Sequence, residues 1–337
     1  MRKLFVLLFA AFIVGSIYAI DNKEITIYNP AEKSVLGGTF SLPDDGEPAA
    51  VVVLATGSGQ QDRDETVFGH KPFKTVAEYL AANGYAVIRL DDRGVGSSTG
   101  EVEKATTANF ASDIKRAVEW ADSVIPGVPA GVLGHSEGGQ IAYRVAAQSP
   151  LCRFIITLAA PAWRGDSLVM SQNRALATMA LGRWDGEKAQ RNILDIALAD
   201  FPASVAMPAI MAEISSTMGD AAKMPQVQEY VYKQASLVLT PWYREFIRFD
   251  PSATISAVNV PWLALNGDRD VQVSVDNLTT IKELCPSAKV VVMPGHNHLL
   301  QHCTTGLPNE YETIAEDISQ ETLSEILGFL NDCFKKH

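Results

Sequence analysis

The sequence predicts an α/β fold, a mostly parallel central sheet with helices on both faces and a long helical insertion. Continuous apolar runs of strand length recur at Ala49–Ala55, Ala86–Leu90, Gly131–Leu133, Phe154–Leu158, Pro261–Leu265 and Lys289–Met293. Helical patterns such as Phe73–Ala82, Asn109–Asp122 and Gln140–Gln148 separate most of them. Strands apolar throughout are those buried on both faces, as βαβ crossovers require. The third observation is a break in this rhythm. From Trp163 to about Val258 no strand run occurs, and Ala, Leu, Met, Gln and Glu recur at helical spacing between Gly182, Pro202, Pro208, Gly219 and Pro225.

The elements follow in chain order. Arg2 and Lys3 precede the uncharged run Leu4–Ile20, which reads as a secretory signal cleaved near Ala19 and implies export to the periplasm or medium. Glu24–Tyr28 and Lys33–Leu42 alternate and carry Gly37-Gly38 and Pro43-Asp44-Asp45-Gly46, which suits an antiparallel leading ribbon. The expected organisation is a signal over 1–19, a first core part over 20–162, the insertion over 163–258 and a second core part over 259–337. The insertion holds six of the eight Met and three of the five Trp, a composition suited to a lid over an apolar pocket. A closing helix is expected near Leu323–Phe334.

Composition narrows the function. Apolar residues make up 47% of the 337 residues, enough for a large core. A formal charge of −11 repels phosphate backbones and anionic lipid, so small neutral substrates fit better than nucleic acid or a membrane surface. Cys152 beside the run Phe154–Leu158 reads as a buried small hydrophobe, while Cys285, Cys303 and Cys333 have the means to supply one disulfide.

The chemistry-bearing motif is Gly134-His135-Ser136-Glu137-Gly138-Gly139. GxSxG alone is weak, but here it follows the strand Val132-Leu133 and precedes a helix expected to begin near Gln140, the setting of a nucleophile elbow. A serine hydroxyl needs a base that is itself oriented by a carboxylate. Downstream strands end in Asn266-Gly267-Asp268-Arg269-Asp270 and in Met293-Pro294-Gly295-His296-Asn297-His298, so Ser, Asp and His all follow strands and meet at one sheet edge. Position favours Asp270 over Asp268, which lies inside the tight turn, and His298 over His296. His135 precedes the serine on a sharp turn and is not expected to be the base. The trio His296, His298 and His302 resembles a metal cluster but lacks a flanking acidic pattern.

A tetrahedral intermediate needs preorganised N–H donors. The Glu137 amide is one candidate, and Ser58, with Gln60 as alternative, is the other, from the loop Thr56–Asp64. Asp62, Arg63 and Asp64 read as an ion-paired brace of that loop. Gln60, His135, Trp163 and Trp242 are candidate pocket residues. Asp91-Asp92-Arg93-Gly94-Val95-Gly96 imitates a dinucleotide fingerprint, but its glycine spacing is wrong and no helix opens directly from it.

Gly57–Asp64, Asp91–Ser97, Gly134–Gly139 and Asn297–Gln301, the last continuing through Thr305–Tyr311, together resemble the α/β-hydrolase superfamily, and within it bacterial exported esterases. The resemblance covers about Ala50 to Ile326. It implies an α/β-hydrolase fold, Ser136 as nucleophile, His298 as base, Asp270 as acid, no metal or organic cofactor, and a helical lid in which Pro241-Trp242-Tyr243 recurs. His296 stands where such relatives often carry an apolar residue. The expected activity is hydrolysis of carboxylic esters with an apolar acyl part, the alternatives being a serine peptidase of the same fold or a non-catalytic binding module.

Overall fold

The computed structural model describes residues 20–44 and 47–335; the expected signal over 1–19 and the Asp45-Gly46 turn lie outside them. The chain opens with two long strands, β1 (Asp21–Asn29) and β2 (Ser34–Leu42), paired antiparallel in a ribbon. There follow β3 (Val51–Ala55), α1 (Pro72–Ala81), β4 (Ala86–Leu90), α2 (Thr107–Val124), β5 (Ala130–His135), α3 (Glu137–Gln148) and β6 (Cys152–Leu158). After the insertion come β7 (Trp262–Gly267), α10 (Asp276–Leu284), β8 (Lys289–Met293) and α11 (Gln320–Phe334). Between β6 and β7 lie only helices: α4 (Gly165–Leu181), α5 (Glu187–Leu198), α6 (Ala203–Ser216), α7 (Pro225–Val238), α8 (Pro241–Arg248) and α9 (Ser252–Ser256), with one 3-10 turn at Gly219–Lys223.

The strands form one eight-stranded sheet in the order β1-β2-β4-β3-β5-β6-β7-β8. The ribbon joins antiparallel to β4 through β2, and every pair from β4 to β8 is parallel. Strand periodicity divides the core in two. Val51, Val53 and Ala55 face α2, α3 and α10 on one side, while Ala50, Val52 and Leu54 face α1 and α11 on the other. A third core belongs to the insertion, built from Leu168, Leu194, Ile210, Ala235, Phe246 and neighbours, and Val273 from the loop after β7 packs into it.

Two expectations are corrected. The helix after the serine starts at Glu137, three residues before Gln140. Gly138 and Gly139 are poor helix formers, which hides this first turn from a propensity reading. Packing requires them: a Cβ on Gly138 would run into the Ala55 carbonyl, and one on Gly134 into the Gly138 backbone. The disulfide left open for the last three cysteines is not present, since all four cysteines are free thiols.

The sequence segment that imitated a dinucleotide fingerprint is a loop organised around a buried carboxylate. Asp91 accepts Arg63 in a two-pronged pair at 3.1 and 2.8 Å and also the Ser97 amide. Burial opposes its charge, but these donors hold the carboxyl well below its usual range. Arg93 reaches Asp113 at 2.7 Å. These polar groups are spent on the protein itself, with Asp64 paired to Arg89 and Lys71, so the Asp62–Asp64 run braces the loop as its charges suggested.

Candidate active site

Because β3, β5, β7 and β8 run parallel, the loops that follow them emerge at one sheet edge. Ser136 stands at the turn between β5 and α3 with φ 54° and ψ −119°, a conformation that costs a non-glycine residue roughly 1–3 kcal/mol. Its amide donates to Leu158 O at 2.8 Å and its carbonyl accepts from Gly139 at 2.9 Å, so bonds to β6 and to α3 hold the strained turn.

Asp270 and His298 come together from the loops after β7 and β8. His298 Nδ1 lies 2.7 Å from Asp270 Oδ2, and both residues are buried. The other Asp270 oxygen accepts the amides of Gln272 and Val273 at 2.8 and 2.9 Å, which fixes the carboxylate. Asp268 instead accepts the Gly295 amide at 2.6 Å and tightens the loop before the histidine. His298 Nε2 has no hydrogen-bond partner among the described residues.

His135, taken from the sequence as a candidate pocket residue, is corrected to a buried brace. Its Nδ1 lies 2.9 Å from Glu65 Oε1 and its Nε2 lies 2.9 Å from the carbonyl of His298. A carbonyl only accepts, so Nε2 donates to it, and a carboxylate facing Nδ1 favours a proton on that nitrogen as well, the arrangement of an imidazolium. Burial works against that charge, yet Glu65 and the His298 carbonyl raise the imidazole above its ordinary value. Glu65 also takes the Gly57 amide on the same oxygen at 2.6 Å. One buried ion pair thereby joins the loop after β3, the serine turn and the backbone of His298. The cavity that His135 lines with Glu65, Leu158 and Leu299 has a volume of about 10 Å³, too small for a substrate.

The loop after β3 offers donors. Gly57 N–H is occupied by Glu65, whereas the Ser58, Gln60 and Glu137 amides donate to no protein acceptor among the described residues. The Glu137 side chain, which the sequence reading left unused, connects these parts. Oε2 accepts Ser58 Oγ at 2.8 Å, Oε1 accepts Thr107 Oγ1 at 2.6 Å, and Trp242 Nε1 donates at 2.9 and 3.1 Å. Burial pushes this carboxyl upward, as it pushes Asp92 under the same loop up to about 7. A carboxylate at the first position of α3 also suits the helix dipole, the one local signal that marks it. Glu65 has no comparable signal beyond continuing the charged run Asp62–Asp64.

Among the other candidate pocket residues, Trp242 is half-buried, stacks on Phe246 with ring centroids 5.7 Å apart and meets Glu137 next to the serine. Gln60 is exposed at the loop tip. Trp163 is held against α10 through Thr280 Oγ1 at 2.9 Å. A cavity of about 540 Å³ lined by Pro241, Arg244, Glu245 and Arg248 opens on a different face of α8 from Trp242 and includes neither Ser136 nor His298.

Chemically, the edge presents a serine on a strained turn, a histidine oriented by a buried carboxylate, and unpartnered amides beside the serine, the parts needed for acyl transfer. Comparison with known proteins adds a family. The model of the family described as serine aminopeptidase, S33 matches residues 46–302. Esterase EstD of Thermotoga maritima is 26% identical over 290 residues, which are 84% of this chain and 60% of that protein. A monoacylglycerol lipase of Mycolicibacterium smegmatis is 34% identical over 119 residues, 35% of this chain and 40% of its own. The chain thus spans less than two thirds of the length of either relative. Among solved structures, an esterase of Pyrococcus furiosus superposes with a TM-score of 0.59 at 16% identity, covering 93% of this chain and 91% of that one. Est1E from Butyrivibrio proteoclasticus, bound to ferulic acid, does so with 0.56 at 16% identity over 92% and 97%. At these identities the likeness to solved structures is one of fold.

Proposed function

The chain belongs to the serine aminopeptidase S33 family within the α/β-hydrolase superfamily, and on that premise we propose that it hydrolyses carboxylic esters through Ser136, His298 and Asp270. The observation that carries the reading is the His298–Asp270 bond at the same sheet edge as the serine turn, with His298 Nε2 left without a partner among the described residues. In this mechanism Ser136 Oγ attacks the acyl carbon while His298 Nε2 takes its proton. Asp270 keeps Nδ1 protonated and the ring oriented, and the amides of Ser58 and Glu137 bond the developing oxyanion, each worth about 3 kcal/mol. His298 then protonates the departing alcohol, and water, deprotonated by the same nitrogen, releases the acid.

Two considerations favour an ester over an aminoacyl substrate. The two relatives described above carry names of ester hydrolases. Glu137, the acid next to the serine, has both oxygens engaged by Ser58, Thr107 and Trp242, which leaves it unavailable to a substrate ammonium. In the same proposal the helices over 163–258 act as a lid, with Trp242 as their contact beside the serine. Export belongs to the reading as well, supported by Arg2-Lys3 ahead of Leu4–Ile20; the processed protein should begin near Ile20 on N-terminal sequencing.

The test is hydrolysis of a p-nitrophenyl acyl series from about two to about twelve carbons, beside aminoacyl p-nitroanilides. Chain-length-dependent ester turnover that Ser136→Ala lowers by about 10⁶-fold is expected. Anilide cleavage without ester turnover would overturn the esterase reading in favour of a peptidase.

A further inference from the structure

Outside the serine site, one cluster among the described residues combines two imidazoles with carboxylates. His296 and His302 pair across an isolated β-bridge, their ring centroids 4.3 Å apart. His296 is buried, and its Nδ1 lies 2.8 Å from the Pro294 carbonyl, so that nitrogen donates and Nε2 keeps its lone pair. His302 is about half exposed and hands Nδ1 to Glu316 Oε1 at 2.8 Å, while its Nε2 lies 3.7 Å from Glu321 Oε2. His296, His302 and Glu321 each bring a ligand atom within 4.8 Å of the others. The acid that the local spacing of the histidines lacked is supplied by α11, some twenty residues further on.

We propose that His296 Nε2, His302 Nε2 and a Glu321 carboxylate oxygen bind a zinc ion, with Glu316 orienting His302. Metal-binding histidines characteristically give their other N–H to a carboxylate or a backbone carbonyl, and here Glu316 and Pro294 receive them. Two neutral imidazoles with Glu316 and Glu321 carry two negative charges, matched to a divalent cation. The positive end of the α11 dipole, about half a charge, offsets only part of this. Nitrogen donors select zinc over magnesium or calcium, which take oxygen. In a tetrahedral zinc site ligand atoms lie about 3.3 Å apart, so the His302–Glu321 pair is nearly in place. The remaining closure falls to those two exposed side chains.

One existing bond must yield. His296 Nε2 lies 2.8 Å from Ser319 Oγ, the N-cap of α11. That oxygen occupies the Nε2 lone-pair direction in which the ion would sit, so Ser319 must turn to another rotamer when zinc binds and release Thr322 Oγ1 and the Thr322 amide, which it now meets at 2.8 and 3.1 Å. The ion would tie the loop that carries His298 to the start of α11, with His296 two residues before His298 and His302 four after.

Titration of zinc chloride into untagged, metal-free full chain, followed by calorimetry and thermal melting, tests the site. One zinc per chain and a raised melting temperature are expected for the wild type. His302→Ala and Glu321→Ala, both exposed positions, should each weaken binding at least tenfold and abolish the thermal shift. Glu316→Gln should weaken it by about 10- to 100-fold, and magnesium should produce no shift. A wild type that takes up no zinc at about 100 µM, or variants that bind as tightly as the wild type, would overturn the proposal.

Discussion

His298–Asp270 and His135–Glu65 are closely similar histidine–carboxylate pairs, with Nδ1 to oxygen distances of 2.7 and 2.9 Å and rings whose centroids lie 4.8 Å apart. They differ at the second nitrogen. In His298 it has no protein partner among the described residues, whereas in His135 it is bonded to the carbonyl of His298 itself. A histidine with one nitrogen oriented and one free can accept a proton; a histidine with both nitrogens donating is a fixed cation. What marks a candidate base in this fold is therefore the free nitrogen, and the carboxylate partner alone does not distinguish it from a brace.

Substitutions can separate the two pairs, beginning with the most damaging. Asp270→Asn should lower kcat for a p-nitrophenyl ester by about 10⁴-fold, because the amide no longer holds Nδ1 protonated. A loss of less than about tenfold would remove Asp270 from the mechanism. Glu65→Gln keeps the shape but takes away the charge opposite His135. Its expected effect is a drop of about tenfold in kcat with KM little changed, together with a lower melting temperature, since a buried charge is left without its partner.

That second substitution also has a pH signature. The folded pKa of His135 is raised, so its protonated form contributes stability in full below the ordinary imidazole value of about 6.5, and the contribution disappears as pH rises through the raised value. The melting-temperature gap between wild type and Glu65→Gln should be wide at about pH 6 and narrow as the pH rises above the ordinary imidazole value. A constant gap across that range would show His135 to be neutral. The smallest effect is expected from Trp242→Phe, which removes the donor to Glu137 but keeps a ring against Phe246. KM should rise a few-fold with kcat nearly unchanged, and a loss confined to kcat would instead place Trp242 in the positioning of the oxyanion loop.

Much of this was readable in the residues. Apolar runs bounded by turn residues predicted the parallel strands, because a strand covered on both faces has no polar side to show. Gly134–Gly139 after such a run predicted the serine turn, because a sharp strand-to-helix bend needs small residues within a few positions. The missed side chains are those whose meaning depends on distant partners. Glu65 lies 70 positions from His135, and Glu137 lies 30 from Thr107 and 105 from Trp242. The trio His296, His298 and His302 looked like a cluster without an acid because Glu321, which lies near His296 and His302, arrives from α11.

By itself the sequence determined the class of fold, the order serine, aspartate, histidine, and the edge of the sheet at which they emerge. These depend on periodicity and turn chemistry, which act over a handful of neighbouring residues. Tertiary structure alone decided that Asp268 caps Gly295, that His135 is bound at both nitrogens, and that Glu137 joins the loop after β3 to the insertion. Those outcomes follow from the pairing of β3 with β5 and of β7 with β8 and from which loops it makes neighbours, and no local stretch of chain carries that information.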